Sequence, residues 1–151
     1  MSDYIDIAAT SWDEIPEKKT LPVGTYLLRA RSVKYNEPKE EGKNGNVMIV
    51  YEPRMPMDDV NDDDLAELGQ DYDLANNPIF FRIWIERQTD WQTVKKHLAK
   101  HGIDVSGSIQ DSFDAVKGKE VLAYLSTRTF TNGAGETVED NDASNFAPVE
   151  A

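Results

Sequence analysis

Three segments of the 151-residue chain alternate apolar and polar side chains with a period of two, at residues 25–35, 78–87 and 117–130. Because successive side chains of a strand point to opposite faces, this alternation predicts strands with two different faces. A nearly continuous apolar run at 46–53 and a weaker segment around 145–149 bring the predicted strands to five. The chain is therefore expected to fold around a β-sheet.

A helical region separates the third predicted strand from the fourth. An apolar face formed by Trp91, Val94 and Leu98 predicts one helix, and the capping-box spacing of Ser108 and Asp111 predicts a second, shorter helix. The predicted order is therefore three strands, a helical region and two strands. This is the order of elements in the OB-fold, a five-stranded Greek-key barrel. We therefore predict a mainly β, OB-fold-like barrel with a helix between strands 3 and 4.

The charge of the chain is unevenly distributed. Acidic residues outnumber basic ones 28 to 16, which gives a net charge of −12. Residues 1–20, 58–77 and 131–151 carry −3, −8 and −5, whereas residues 21–57 and 78–130 carry +2 each. Most of the predicted strands lie in the two positive segments, so the overall acidity does not exclude a phosphate-bearing ligand.

A chain of this length is expected to form about one domain with a real core. We assign residues 1–20 to a polar N-terminal arm and residues 21–149 to an OB-like domain, which an acidic insertion interrupts at 58–77. An insertion of this length inside a small domain is usually functional or mobile.

Several kinds of chemistry find no support in the sequence. The chain has no cysteine, which excludes disulfides, thiolate zinc sites and a cysteine nucleophile. Asp59, Asn61 and Asp63 resemble the start of a calcium loop, but Asp64 and Gln70 stand where that loop needs glycine and glutamate. There is no glycine-rich phosphate loop and no G-x-S-x-G motif. We predict no enzyme, no metal and no cofactor.

The first predicted helix also carries basic side chains. His97 and His101 are four residues apart and could share a metal, but KKHLAKHG lacks the catalytic glutamate of a zinc-protease helix. Together with Lys95, Lys96 and Lys100 they form either a solvated helix face, which we favour, or the flank of a phosphate path.

Each of the three alternating strands combines arginine with large aromatic side chains on one face. Exposed aromatics need a reason, because burial is where they stabilise a protein most. One explanation is that these aromatics pack under other elements. The other is that they stack on nucleobases, which stabilises binding by about 1–3 kcal/mol per base, while the arginines contact phosphate groups. A groove for single-stranded nucleic acid is the predicted site, with Lys34, Lys43 and Lys95 as further phosphate contacts. Its predicted residues are Arg29, Arg31, Tyr35, Phe80, Arg82, Trp84, Tyr124, Arg128 and Phe130.

The chain resembles a known family over residues 21–148. LPVGTYLLRA, KNGNVMIVYEP, PIFFRIWIE, VKGKEVLAYL and a late Asn-Phe pair are similar to stretches of bacteriophage-encoded single-stranded-DNA-binding proteins of the OB-fold type. In that family L-P-x-G-x-Y leads the first strand and a G-K phrase introduces the fourth. The resemblance implies sequence-independent binding of single-stranded DNA in phage replication, recombination or repair, in the cytoplasm of the infected bacterium.

A rival interpretation makes the protein an acidic interaction module, such as a virion accessory protein or a DNA-mimic inhibitor of a host enzyme. Its functional surface would be the acidic segment 58–73. In a single-strand binder, the acidic segments could instead recruit replication or recombination proteins. No window approaches the ~18 apolar residues of a membrane span. The sequence leaves open whether the ligand is DNA or RNA, and which oligomeric state the protein has. The predicted groove requires that the side chains of Phe80 and Trp84 be exposed to solvent.

Overall fold

The computed structural model describes residues 8–9, 11–12, 19–69 and 72–149. Most of the predicted N-terminal arm lies outside the described residues. The strands are β1 (Gly24–Asn36), β2 (Gly45–Pro56), β3 (Ile79–Ile85), β4 (Glu120–Thr131) and β5 (Thr137–Pro148). The helices are α1 (Asp62–Ala66), α2 (Trp91–Ala99) and α3 (Ile109–Val116), with single 3-10 turns at Leu74–Asn76 and Gln88–Asp90.

All five strands belong to one antiparallel sheet in the order β3-β2-β1-β4-β5. The predicted mainly β, five-stranded, OB-like arrangement with a helix between strands 3 and 4 is confirmed. The two edge strands, β3 and β5, are not hydrogen-bonded to each other, so the sheet stays open instead of closing into a barrel. Phe81 of β3 and Phe146 of β5 bring the two edges together, with ring centroids 4.6 Å apart.

The hydrophobic core lies between one face of the sheet and helices α2 and α3. Ser108 begins α3 as predicted, since its Oγ accepts a hydrogen bond from the Asp111 N–H at 3.1 Å. The helices contribute Val94, Leu98, Phe113 and Val116 to the core. The inner face of the sheet contributes Tyr26, Leu28, Ala30, Val33, Val47, Ile49, Tyr51, Ile79, Val121, Ala123 and Leu125.

The L-P-x-G-x-Y stretch that opens β1 has a structural explanation. Leu21 is fully buried, and the Tyr26 hydroxyl donates a hydrogen bond to the Pro22 carbonyl oxygen at 2.8 Å. Gly24 has a φ of +149°, and a Cβ there would lie 2.5 Å from a Val60 methyl carbon. Glycine is therefore needed where the acidic insertion packs on the start of β1.

The first half of the acidic insertion folds against β1. The Asp59 carboxylate accepts hydrogen bonds from the Thr25 backbone N–H and hydroxyl, both at 2.8 Å. The bond from the Thr25 N–H contributes most to lowering the pKa of Asp59. Val60 and Leu68 are buried on either side of α1, whose N-cap is Asn61. These contacts fix α1 beside the sheet.

A β-bulge interrupts the alternation of β1. Ala30 lies opposite Tyr51 and Ser32 lies opposite Val50, so Arg31 is the extra residue. One inserted residue inverts which face the following side chains occupy. The core therefore receives Ala30 before the bulge but Val33 after it.

No helix among the described residues combines the length and the apolar character needed to cross a bilayer.

Candidate nucleic-acid interface

The outer face of β1, β2 and β3 is built from three rows of directly paired residues. Residues that pair in register across neighbouring strands project to the same side of a sheet. This side is opposite to the core, because the intervening residues Val33, Ile49 and Phe81 pack inward. The rows are Ser32–Val50–Phe80, Lys34–Met48–Arg82 and Asn36–Asn46–Trp84.

Two large aromatic side chains flank an arginine on β3. Phe80 is 53% exposed and Trp84 is 52% exposed, so neither is covered by a helix or by the described part of the insertion. They are four positions apart in the chain, which corresponds to about 13 Å along a strand. The Arg82 guanidinium lies 5.6 Å from the Trp84 ring centroid, and its Nη2 donates to Met48 Sδ at 3.3 Å. The predicted exposure of Phe80 and Trp84 is confirmed.

An open groove of about 920 Å³ runs between this face and the β1–β2 hairpin. Trp84, Met48 and Asn46 line it from the sheet, and Lys39 and Lys43 line it from the hairpin loop. An aromatic platform and two lysines thus border one polar groove, a combination that single-strand binding uses, although Glu37, Glu40 and Glu86 line the same groove.

Basic side chains continue from this face toward β4. The Ala30 N–H donates to the Lys119 carbonyl oxygen and the Gly118 N–H donates to the Ala30 carbonyl oxygen, both at 2.8 Å. Gly118 has a φ of +84°, and a Cβ there would lie 3.9 Å from Arg29 Nη2. Among the described residues, no carboxylate lies within 4.0 Å of the charged nitrogens of Arg29, Arg31 or Lys119.

Lys119 therefore belongs with Arg29 and Arg31, although it was not among the predicted site residues. The sequence signal for it is the G-K phrase at Gly118, which is part of the family resemblance. What was missing was the backbone pairing that brings this turn beside β1.

Tyr35 does not share a face with Arg29, and the prediction that Arg29, Arg31 and Tyr35 point together is wrong. The bulge at Arg31 turns Tyr35 to the side of the core, where its ring centroid lies 5.4 Å from that of Trp91. A Cβ at Gly45 would collide with the Tyr35 hydroxyl oxygen. Tyr35 is 36% exposed, and its place is to pack β1 against α2 and β2.

The β4 residues of the predicted site lie apart from the β3 pair. Tyr124 is half-buried, and the Arg128 guanidinium lies 5.5 Å from the Phe130 ring centroid. β4 pairs with β1 only through Glu120–Leu125, so Arg128 and Phe130 lie on a two-stranded extension formed with β5. Asp140 stands opposite Arg128 in that pairing, and Asp142 is two residues further along β5. Arg29 has comparable neighbours, because Glu52 of β2 and Glu120 of β4 stand opposite it. What separates the extension from the β3 rings is therefore its position beyond the pairing of β4 with β1.

His97 and His101 are buried, which contradicts their assignment to a solvated or phosphate-flanking face. The Tyr51 hydroxyl oxygen lies 2.8 Å from the Nε2 atom of each histidine. His101 Nδ1 donates to the Leu98 carbonyl oxygen at 3.1 Å, so its Nε2 accepts from the Tyr51 hydroxyl. His97 Nε2 must then donate to Tyr51, which defines both tautomers.

Aromatic packing completes this buried cluster. The His97 ring lies 4.6 Å from the centroids of both Phe81 and Phe146. Burial lowers the pKa of His97 to about 3 and also lowers the pKa of His101. Both rings are therefore neutral near pH 7 and hold the open edge of the sheet together. Each lies three residues after a core residue, Val94 or Leu98, and this spacing is a sequence signal for the core face that the prediction of a solvated face overlooked.

The described residues hold no group of three or more histidine, cysteine, aspartate or glutamate side chains that could bind a metal ion. No protein-family model and no curated protein matches the sequence. The fold and the outer face define the class of protein. It is a mainly β, OB-like domain with exposed aromatic and basic side chains on the outer face of β1 to β3.

Proposed function

We propose that the protein binds single-stranded DNA with little dependence on sequence, through the outer face of β1, β2 and β3. The observation that carries the proposal is the pair of half-exposed rings, Phe80 and Trp84, on either side of Arg82. Stacking on such rings is worth about 1–3 kcal/mol per base and tolerates every base, because each base has a π-face.

Charge on the same face supports the proposal. Arg82 and Lys34 share a row, and Arg31, Arg29 and Lys119 continue toward β4. These side chains offer a phosphate path that crosses the strands beside the stacking rings. A site of this extent corresponds to about four nucleotides, the lower end of the range for an OB-fold.

The biological role rests on the family resemblance. A sequence-tolerant single-strand binder would protect DNA during phage replication, recombination or repair in the cytoplasm of an infected bacterium. The carboxylates of α1 and β5 lie outside the proposed face and could contact basic regions of partner proteins.

Fluorescence titration with oligo-dT tests the proposal. Wild-type protein at micromolar concentration and low salt is expected to show quenching, with affinity that falls steeply as salt is added. Trp84→Phe should lose most of the quenching, whereas Trp12→Phe, which changes another exposed tryptophan, should keep it. Absence of any quenching in the wild type at low salt would rule out the proposal.

A second candidate is the acidic interaction module, and α1 is the observation that favours it. Asp62, Asp63, Asp64 and Glu67 are all exposed around this short helix. Deleting the whole insertion would also remove Val60, which packs on the start of β1. Neutralising charges on α1 is therefore the better test. Asp62→Asn with Asp64→Asn should leave or improve DNA affinity in a single-strand binder, and should abolish activity in a DNA-mimic inhibitor.

A further inference from the structure

One further row of paired residues crosses the outer face of the sheet, near the start of β1. Leu27 stands opposite Met55 of β2 on one side and opposite Leu122 of β4 on the other, and Leu122 stands opposite Ala147 of β5. The chain neighbours of Leu27 and Leu122 are buried in the core, so the four paired side chains project outward. We call these four residues the apolar row.

The apolar row is open to solvent. Met55 is 50% exposed, and the other three side chains are partly exposed. Tyr124 lies two residues beyond Leu122 on the same face, opposite Thr25, and is also partly exposed. An antiparallel sheet with one solvated face usually carries polar side chains there, so four apolar residues in one row are a departure from that pattern.

The size of the apolar row favours a nucleobase over a protein partner. Four neighbouring strands span about 14 Å, and the row together with Tyr124 is about 7 Å deep along the strands. An area of about 100 Å² is far below the ~800 Å² that each partner buries in a stable protein interface. It is closer to the face of one or two bases, which aliphatic side chains cover by burial of apolar surface.

Arg29 lies between the apolar row and the stacking rings of β3. It is two residues from Leu27 along β1 and three residues from Ser32, which shares a row with Phe80. Leu27 and Ser32 are about 17 Å apart along β1, and β1 lies about 10 Å from β3. The Phe80 ring and the apolar row are therefore separated by about 20 Å, the span of a few extended nucleotides.

The charge around Arg29 is mixed but positive on balance. Glu52 and Glu120 stand opposite Arg29, and Glu52 is paired with Arg54 at 3.8 Å. The cations on this part of the face are Arg29, Arg31, Arg54 and Lys119. Two carboxylates and four cations leave the path between Phe80 and the apolar row with a positive charge.

We propose that the apolar row and Tyr124 form a second base-stacking subsite, occupied by a nucleotide further along the same single strand. The inference rests on the proposed function and extends its site from about four to about eight nucleotides, within the range for one OB-fold. The strand crosses the sheet from β3 to β4, and Arg29 contacts a phosphate between the two subsites.

Oligo-dT of about four and of about eight nucleotides distinguishes one subsite from two, with binding followed by quenching of Trp84. On a site of about four nucleotides the longer oligonucleotide has about five registers, which alone raise affinity about fivefold. A second stacked base raises the expected gain in the wild type to roughly fiftyfold.

Met55→Ser and Tyr124→Ala should each return this gain to about fivefold and leave the affinity for the short oligonucleotide unchanged. Ile109→Ser is the matched control. Ile109 is 52% exposed, like Met55, but lies on α3, which packs against the opposite face of the sheet. This variant should keep the full gain.

The contrary results have separate meanings. A gain of about fivefold in the wild type, or an unchanged gain in both variants, overturns the inference while binding of the short oligonucleotide leaves the proposed function standing. If wild type binds neither oligonucleotide, the proposed function fails and the inference fails with it.

A second copy of the chain is the other occupant that the test can detect. If the wild type is dimeric without DNA and Met55→Ser is monomeric, the apolar row packs on a second copy and the inference is overturned. Should Tyr124→Ala melt at a much lower temperature, Met55→Ser decides, because Met55 is half-exposed.

Discussion

The Arg82 guanidinium lies over the indole ring of Trp84, 5.6 Å from its centroid, on the outer face of an edge strand. A cation over an exposed aromatic ring contributes about 0.5–1 kcal/mol, which favours one orientation of the ring. Arg82 can therefore orient Trp84 and contact the phosphate of a stacked nucleotide with the same group.

Phe80→Ala and Trp84→Ala should each weaken binding of single-stranded DNA by roughly tenfold or more, since each removes one stacked base. Both side chains are half-exposed, so the thermal midpoint should change little. Phe81→Ala is the matched control, because its ring packs on His97 and Phe146. It should cost about 3 kcal/mol of folding stability. Equal affinity of Trp84→Ala and wild type for oligo-dT would count against the proposed surface.

Arg29→Ala and Lys119→Ala should weaken binding to all oligonucleotides alike. Each should also reduce the slope of log affinity against log salt by about 0.7, as expected for one phosphate contact on a single strand. Arg128→Ala should change the slope less, because Arg128 lies on the β4–β5 extension, apart from the face that carries Phe80 and Trp84. Titrations at four salt concentrations measure these slopes. A larger change for Arg128 than for Arg29 would place the phosphate path on the β4–β5 extension instead.

Tyr35→Ala should destabilise the fold and leave DNA affinity close to wild type. The ring packs on Trp91 and across Gly45, so its loss opens a cavity between β1 and α2. A cost of roughly 2 kcal/mol is expected, because the ring is partly exposed. Urea denaturation gives the stability, and an oligo-dT titration gives the affinity. Intact stability with a large loss of affinity would return Tyr35 to the binding surface.

Stability should fall as the pH drops below about 6.5, and the cause is the buried histidine pair. The pKa of His97 is about 3 in the folded protein but ordinary in the unfolded chain. The unfolded state therefore binds more protons between these pH values, and stability decreases as pH falls through that window. Carboxylates with lowered pKa values, such as Asp59, stay ionised between pH 7 and 5 and do not contribute there.

For His97 alone the expected loss between pH 7 and pH 5 is about 2 kcal/mol. Urea denaturation at the two pH values measures it. His97→Gln should be less stable at pH 7 and should lose less stability on acidification than wild type. An unchanged free energy of unfolding from pH 7 to pH 5 in the wild type would show that the histidines are not buried as neutral groups.

The alternation of β3 and β4 could be predicted from the sequence because neither strand contains a bulge at its predicted site residues. Phe80, Arg82 and Trp84 share one face as predicted. β1 differs, because its bulge at Arg31 follows from the pairing with β2 and leaves no mark in the residues of β1 itself. Local alternation therefore placed Arg29 correctly and Tyr35 incorrectly.

Two other features depended on tertiary context. β5 extends over Thr137–Pro148 although its Asp and Asn residues have low strand propensity, because pairing with β4 overrides local preference. The predicted strand covered only 145–149. Asn46 lies beside Trp84 through the register of β2 with β3, which the sequence could not supply.

Cross-linking of single-stranded DNA that carries 5-iodouracil, followed by mass spectrometry of the linked peptides, tests the central claim most directly. The base reacts on irradiation with the aromatic ring on which it stacks. The account predicts links at Phe80 and Trp84 of β3, lost in the corresponding alanine variants. Links confined to Phe130 and Tyr124, or no links at a protein concentration that saturates the oligonucleotide, would contradict it.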